Sequence, residues 1–241
     1  MRKIAVFLLI FWAGPALAQT VPVPFVGCPA DGQMGPEAAP NDGVRPQLPP
    51  AQAKELSYYV SPSSVGTGLS VLAPRGWHCA VVYGSAGTTL VVTPQPITPD
   101  DLLGTLKITG PAVQLSGTDG ATSGRFAVAQ LAARLFPAAS SYVARVKAEN
   151  LAPAADFTPI PYSGDAITRH GDYEADFVTP PHQEGIGTAS RLVPGPLAIR
   201  GFALLMPNDD FRLLTLSARL PEGSEGLVAP IAAVAKTAVV N

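Results

Sequence analysis

The chain has 241 residues and a formal net charge of −2, and charged residues make up 14% of it, against about 25% in an average soluble domain. Lys and Arg occur singly or in pairs, so the basic stripe of a nucleic-acid-binding protein is missing and we expect no nucleic-acid partner. The low charge fits either an Ala- and Pro-rich bacterial composition or a large surface that faces a partner.

The first eighteen residues, 1–18, have the pattern of a signal peptide. Arg2 and Lys3 precede ten apolar residues, and Ala16-Leu-Ala18 is typical of a signal-peptidase site. The apolar run is shorter than the roughly twenty residues that span a bilayer as a helix. We therefore expect cleavage before Gln19, export to the periplasm or the medium, and no transmembrane segment in the mature chain.

Residues 19–55 are predicted to form a Pro-rich arm that lies extended over the rest of the protein. Eight prolines fall within 19–50, and proline is excluded from helix interiors and central strands. Cys28 and Cys79 are the only cysteines, and two cysteines in an exported chain predict one disulfide. This disulfide would attach the arm to the body.

The following segments predict a mixture of strands and short helices. One or two helical turns are expected within 51–59. β-Branched runs at 78–83 and 88–93, separated by a Gly-Ser-Ala-Gly turn, predict a hairpin. Thr98-Pro-Asp-Asp101 is typical of a helix start, and short strands are expected at 105–109 and 112–115.

The second half of the chain contains the longest predicted helix and then more strands. Apolar spacing predicts a helix that begins near Ser123 and that Pro137 interrupts, followed by a second helical piece. That second piece is expected at 142–149. The remaining predictions are strands at 170–177, 187–193, 199–206 and 211–220, and a helix from Ser224 to Lys236.

This order of strands, helices, strands and a helix is typical of the α+β class. We predict that residues 56–241 form a single α+β domain, with one antiparallel or mixed sheet and with helices packed on one face.

Two segments resemble small exported PsbP-like domains. They are Leu69-Ser-Val-Leu-Ala-Pro-Arg-Gly-Trp77, which leads into the predicted hairpin, and Phe211-Arg-Leu-Leu-Thr-Leu-Ser217, which leads into the last helix. The resemblance implies an α+β fold. PsbP-like domains serve several unrelated roles, often as binding or assembly factors, so the resemblance implies no particular activity.

Residues 170–184 contain a candidate metal site. In a strand, His170, Asp172 and Glu174 would share one face, and His182 follows after a Pro-Pro turn. Carboxylates and imidazoles together can bind a divalent cation. The same alternation is also typical of the solvated face of a half-buried strand, so both interpretations stay open.

Three further residues are candidates for a ligand or partner surface. Trp77 is the only tryptophan after the predicted leader, and His78 follows it directly. Trp77 could stack on a ligand or pack against the disulfide. Arg125 ends a Gly-, Ser- and Thr-rich loop at a helix start, where free N–H groups can hold an anion and where Ser123 could instead act as a simple cap.

The sequence lacks the G-x-S-x-G, S-x-x-K and H-E-x-x-H motifs, and it has only three histidines. It therefore favours no enzymatic activity and predicts no cofactor. We predict an exported bacterial binding or assembly protein of the cell envelope that is not catalytic and has an envelope protein as partner. The alternatives are an exported hydrolase or metal-binding protein that uses residues 170–184, and a secreted inhibitor-type protein. The oligomeric state does not follow from the sequence.

Overall fold

The computed structural model describes residues 19–64, 68–157, 164–189 and 191–238, which form an α+β fold as predicted. The predicted signal peptide, 1–18, lies outside the described residues. The strands are β1 Val21–Pro22, β2 Phe25–Gly27, β3 Ala30–Gly32, β4 Gln47–Leu48, β5 Leu56–Val60, β6 Ser70–Pro74, β7 His78–Gly84, β8 Gly87–Thr93, β9 Ala112–Asp119, β10 Ala166–Arg169, β11 Glu174–Thr179, β12 Ile199–Met206 and β13 Arg212–Arg219. The α-helices are α1 Pro50–Glu55, α2 Pro99–Leu103, α3 Arg125–Leu135, α4 Ser140–Ala148 and α5 Val228–Ala238.

An eight-stranded sheet forms the centre of the protein, with the strand order β10-β11-β12-β13-β9-β8-β7-β3. Its pairs are antiparallel except at one edge, where β3 lies parallel to β7. Two smaller sheets, β2-β5-β6 and β1-β4, lie outside it, so the prediction of a single sheet was wrong. It failed because β1 to β4 have only two or three residues each, too few to show an alternating pattern.

Both faces of the central sheet are covered. On one face, side chains of β7, β8, β9, β12 and β13 pack against β5, β6 and α5. On the opposite face, the same sheet packs against α2, α3 and α4. The prediction that all helices pack on one face was therefore wrong for α5, which packs on the face opposite to α2, α3 and α4. Strands that bury both faces need not show a clean polar and apolar alternation, which made this arrangement hard to predict.

The Pro-rich segment is joined to the body by strand pairing and by a disulfide. β2 pairs with β5 and β3 with β7, each time at the edge of a sheet, where a neighbouring proline costs no ladder hydrogen bond. Cys28 and Cys79 form the predicted disulfide, with their Cα atoms 5.3 Å apart. Both cysteines are buried.

The helix ends follow local chemistry. Thr98 caps α2: its hydroxyl accepts a hydrogen bond from the Asp101 N–H, while the Asp101 carboxylate accepts one from the Thr98 N–H. α3 starts after Gly124 and has no Ser123 cap. A Cβ atom at Gly124 would lie 2.4 Å from the carbonyl oxygen of Ala86, so the close approach of the β7–β8 turn requires glycine there.

Three predicted strands differ from the structure. The segment predicted as one strand at 170–177 contains the turn of a hairpin. The strand β10 ends at Arg169, the chain turns through Gly171, whose φ is +102°, and β11 then begins at Glu174. The segment 187–193 begins with a 3₁₀ turn at Ile186–Thr188. The segment 105–109 is not a strand, and within it Ile108 forms an isolated bridge to Leu192. The strand predicted at 112–115 is longer than expected and forms β9.

Candidate functional site

A polar cavity of about 270 Å³ lies between α3 and the face of the sheet formed by β8, β9 and β13. Much of the rest of this sheet face consists of buried apolar residues that pack under the helices. At the cavity, alternate residues of β9 and β13 carry hydroxyl or amide groups on the face that α3 covers. The polar lining residues are Thr89, Gln114, Ser116, Thr118, Gln130, Arg134, Thr215 and Ser217.

Strand register brings these side chains together. Ser116 of β9 lies opposite Thr215 of β13, and Gln114 lies opposite Ser217. On the other side of β9, Ser116 lies opposite Thr89 of β8. Residues two apart on one strand share a face, so the polar groups form a small grid on three adjacent strands.

Part of this grid is joined by hydrogen bonds. The Gln114 amide donates to the Ser116 hydroxyl over 3.0 Å, and the hydroxyls of Ser116 and Thr89 are 3.1 Å apart. The Gln114 carbonyl oxygen accepts from the backbone N–H of Arg191 over 3.4 Å. These bonds hold one edge of the cavity in place.

Four other polar side chains face the cavity without such bonds. They belong to Thr118, Gln130, Thr215 and Ser217, and none of them forms a hydrogen bond within the described part of the chain. Ser217 is only 7% exposed, although its hydroxyl has no partner there. Since buried polar groups are nearly always hydrogen-bonded in native proteins, these groups are available to solvent or to a ligand in the cavity.

The remaining lining is aliphatic. It consists of Ala127, Leu131, Ile186, Ala189 and Leu213. Arg134 is the charged residue of the lining, and it already has an interaction partner. Among the described residues of the lining there is no Asp, Glu, His, Lys, Cys or Tyr, so the walls carry no side chain that exchanges protons near neutral pH.

The residues of the predicted metal site do not meet at one point. His170 lies in the β10–β11 turn, where its Nε2 is 2.8 Å from the Asp176 carboxylate. His182 follows the far end of β11, and the five residue steps along that strand from Glu174 to Thr179 span about 17 Å. Asp172 is exposed in the turn. Within the described ranges, no three His, Cys, Asp or Glu side chains are arranged to hold a metal ion.

The carboxylates of β11 instead contact a lysine. Lys236 of α5 donates hydrogen bonds to Glu174 over 2.6 Å and to Asp176 over 3.3 Å. Burial lowers the pKa of Lys236, but the two carboxylates outweigh this effect and raise the pKa above its ordinary value. This cluster attaches the last helix to the sheet.

The structure also separates the residues of the predicted ligand or partner surface. Trp77 is half-buried against the core that contains the disulfide, while the exposed His78 begins β7. Arg125 lies beside the turn at the other end of β7, about 20 Å away along the strand. There it pairs with Glu149 over 2.7 Å and stacks on Phe126. These three residues therefore do not share a surface.

Sequence reasoning missed the cavity altogether. The signal was the alternation of Gln114, Ser116 and Thr118 with apolar residues, which is equally typical of a strand face in water. It could have been recognised by noting that Thr215 and Ser217 show the same alternation within the Leu-rich strand β13.

No helix in the described ranges is long and apolar enough to cross a membrane. Comparison of the chain with known proteins returned no matching family model, no similar curated protein and no similar solved structure.

Proposed function

We propose that this chain is an exported, non-catalytic binding protein that holds a small polar molecule in the cavity between α3 and the central sheet. The observation that carries the proposal is the set of four polar side chains, Thr118, Gln130, Thr215 and Ser217, that line the cavity without partners in the described part of the protein. These groups lie in a recess of the surface, where a ligand that enters can reach their free hydrogen-bonding capacity.

The lining favours binding over catalysis. General acid–base catalysis needs a group whose pKa lies near the working pH, and the described lining residues include none. The hydroxyls of Ser116 and Ser217 have no histidine or lysine beside them in the lining that could activate them as nucleophiles.

Export is supported by two features. The first is the signal-peptide pattern of residues 1–18, and the second is the buried Cys28–Cys79 disulfide, which is typical of an oxidising compartment. Binding in the cell envelope, with an envelope protein as partner, remains a prediction. The exposed large apolar residues of the described chain, Met34, Val44, Leu103 and Leu151, lie on separate segments. They therefore do not identify a docking surface.

The alternatives have less support. A hydrolase or metal-binding protein that uses residues 170–184 would need side chains that converge, whereas His170 and His182 lie near opposite ends of β11. An inhibitor that acts through its arm would need a free arm. The backbone of the arm is instead paired with β5 and β7.

The test is a binding screen on residues 19–241 with the disulfide intact, by two-dimensional NMR of ¹⁵N-labelled protein. The compounds are neutral sugars, D-glucuronate, D-glucosamine, L-glutamine and inorganic phosphate, each added singly. We expect at least one compound to shift amide signals of 114–118, 127–134 and 213–217, with little change in α5. If every compound leaves these three segments unchanged, the proposed site is wrong.

A further inference from the structure

We infer that the cavity selects a neutral, polyhydroxylated molecule of about monosaccharide size, an inference that rests on the proposed function and names the ligand class of the same site.

The size of the cavity sets an upper bound on the ligand. A volume of about 270 Å³ corresponds to about nine water molecules at roughly 30 Å³ each. A single organic ring with several substituents has a matching volume.

The unpaired groups favour hydroxyls on the ligand. Thr118, Thr215 and Ser217 can each donate one hydrogen bond and accept others, and the Gln130 amide can do both. A ligand hydroxyl has the same dual capacity, so it can pair with any of these groups. The grid spacing of about 4.8 Å between strands and about 7 Å along them means that one group cannot satisfy all four. The ligand must therefore carry several polar groups spread over its length.

The charge of the cavity disfavours an ionic ligand. A carboxylate or an ammonium group moved from water into a partly buried site needs an opposite charge to offset its lost hydration. The described lining contains no acidic residue to pair with a cation. The basic residue of the described lining, Arg134, already has an interaction within the protein.

The aliphatic part of the lining fits the same class of ligand. Leu131, Ile186 and Leu213 add apolar surface to the lining from α3, the 3₁₀ turn and β13. A sugar or cyclic polyol has C–H groups as well as hydroxyls, so it can contact both kinds of wall. A molecule with hydroxyls alone at its surface, such as a water cluster, cannot.

The experiment compares three molecules that share one ring and differ in charge. D-glucose is neutral, D-glucuronate is an anion and D-glucosamine is a cation at pH 7. D-galactose, D-mannose and myo-inositol extend the neutral set. Binding to the mature protein is measured by NMR titration, following the amide signals of 114–118 and 213–217. We expect a neutral compound to bind at these residues, and to bind at least tenfold more tightly than glucuronate or glucosamine.

Two variants and a matched control connect the binding to the cavity. Thr215→Val and Ser217→Ala each remove a hydroxyl that has no bond in the described part of the protein, so the fold should tolerate both. Each should weaken binding roughly fivefold to tenfold, the effect of one lost hydrogen bond. Thr88→Val is the control. It makes the same chemical change as Thr215→Val on the opposite face of the sheet, in β8, two strands away from β13, and it should leave the affinity unchanged.

The outcomes separate this inference from the proposed function. If glucuronate, glucosamine or phosphate shifts the cavity residues and the neutral compounds do not, the ligand class is wrong while the binding site stands. If no compound shifts them, both are wrong. If a neutral compound binds but Thr215→Val and Ser217→Ala keep the original affinity, the inferred contacts are wrong.

Discussion

Thr88 and Thr89 are neighbours in β8, yet their hydroxyls have opposite environments. Thr89 points to the cavity and pairs with Ser116. Thr88 points to the other face, where it is only 2% exposed and its hydroxyl has no hydrogen-bond partner in the described part of the chain. An unpaired buried hydroxyl costs free energy, because its hydration is lost and nothing replaces it.

Thr88→Val should therefore stabilise the protein. Valine has nearly the same shape and suits a strand, so the substitution removes the unpaired hydroxyl without creating a cavity. We expect the free energy of unfolding to rise by about 1 kcal/mol, measured by urea denaturation of the mature protein. Thr89→Val is the contrasting variant and should not stabilise, because it breaks the bond to Ser116. An equal gain in both variants would contradict this assignment.

Arg219 is a buried cation whose hydrogen bonds all go to backbone carbonyls. It is 1% exposed, and its guanidinium donates to the carbonyl oxygens of Ile108, Gly110 and Val193. Burial lowers its pKa from the ordinary value. Three carbonyls from two separate segments thus bond to one side chain, which joins the Val193 N–H to Ile108 bond in connecting the segment after α2 to the segment before β12.

Arg219→Met keeps the aliphatic stem and removes these donors. The carbonyls of Gly110 and Val193 would lose the guanidinium donors, and the carbonyl of Ile108 would keep only its bond from the Val193 N–H. The free energy of unfolding should therefore fall by about 3 kcal/mol or more. Arg200→Met on β12 is the matched control, since Arg200 is exposed and should change stability by less than about 0.5 kcal/mol. The stability of the two variants is compared by thermal denaturation. Similar losses of stability in both would contradict the conclusion that Arg219 connects the two segments.

Among the elements, local patterns predicted the two long hairpins best. Strands expected at 78–83, 88–93, 199–206 and 211–220 match β7, β8, β12 and β13 to within one residue at each end. In these hairpins the turn chemistry and the β-branched or Leu-rich runs agree with the final fold. The expected helix after Ser224 was also found, and Pro230 is tolerated because it lies in the first turn of α5, where its missing N–H is not needed.

Elements that depend on distant partners could not be predicted in this way. The strand β5 directly follows α1, and it exists because β2 and β6 pair with it on both sides. The cavity depends on the pairing of Ser116 with Thr215, which are about a hundred residues apart in the sequence. Alternation along one strand identifies a polar face, but it does not show whether water or a helix covers that face.

The disulfide joins the Pro-rich arm to β7, and the effect of removing it on stability can be predicted. Cys28 precedes β3 and Cys79 lies in β7, so the bond closes a loop of about fifty residues that would otherwise be free in the unfolded chain. In the chain-entropy model this constraint is worth up to about 4 kcal/mol. The native arm should stay in place without it, because the N–H of Cys28 bonds to Val60 and β3 pairs with β7.

The double variant Cys28→Ala, Cys79→Ala should therefore fold, with a free energy of unfolding lower by as much as about 4 kcal/mol. The measurement is denaturation with and without a reductant. Wild-type protein should lose stability on reduction, whereas the variant should not respond. An arm that becomes sensitive to protease in the folded variant would show that the disulfide acts on the native state instead.

On the scale of the whole molecule, the central sheet separates two cores, and each core contains a buried tyrosine. Tyr59 lies in the core between the central sheet and the β2-β5-β6 sheet, and Tyr142 lies in the core under α3 and α4. Their hydroxyls donate to backbone carbonyls of Pro74 and Gly120, respectively. Burial is the main reason that the pKa of each tyrosine is raised to about 12. The two layers thus share the same sensitivity to high pH.

This sensitivity predicts how stability depends on pH. The unfolded chain loses a tyrosine proton near pH 10, whereas the folded chain holds it until about pH 12, so stability is full below pH 10 and falls between these values. Each tyrosine accounts for a loss on the order of 3 kcal/mol. Lys236 acts in the same direction, because its raised pKa gives stability that is present below pH 10.5 and disappears as its folded form loses the proton.

We therefore expect the free energy of unfolding to fall steeply from pH 10 to pH 12. The tyrosine absorbance of the folded protein should show a late-ionising fraction to which Tyr59 and Tyr142 contribute. In Tyr142→Phe the late-ionising fraction should shrink by one residue, and the alkaline loss of stability should be smaller because the raised pKa of Tyr142 is gone. Since the two cores share the sheet, ionisation in either one should unfold both together, and circular dichroism should report a single transition. If all tyrosines ionise near pH 10 while the protein stays folded, neither ring is buried as described.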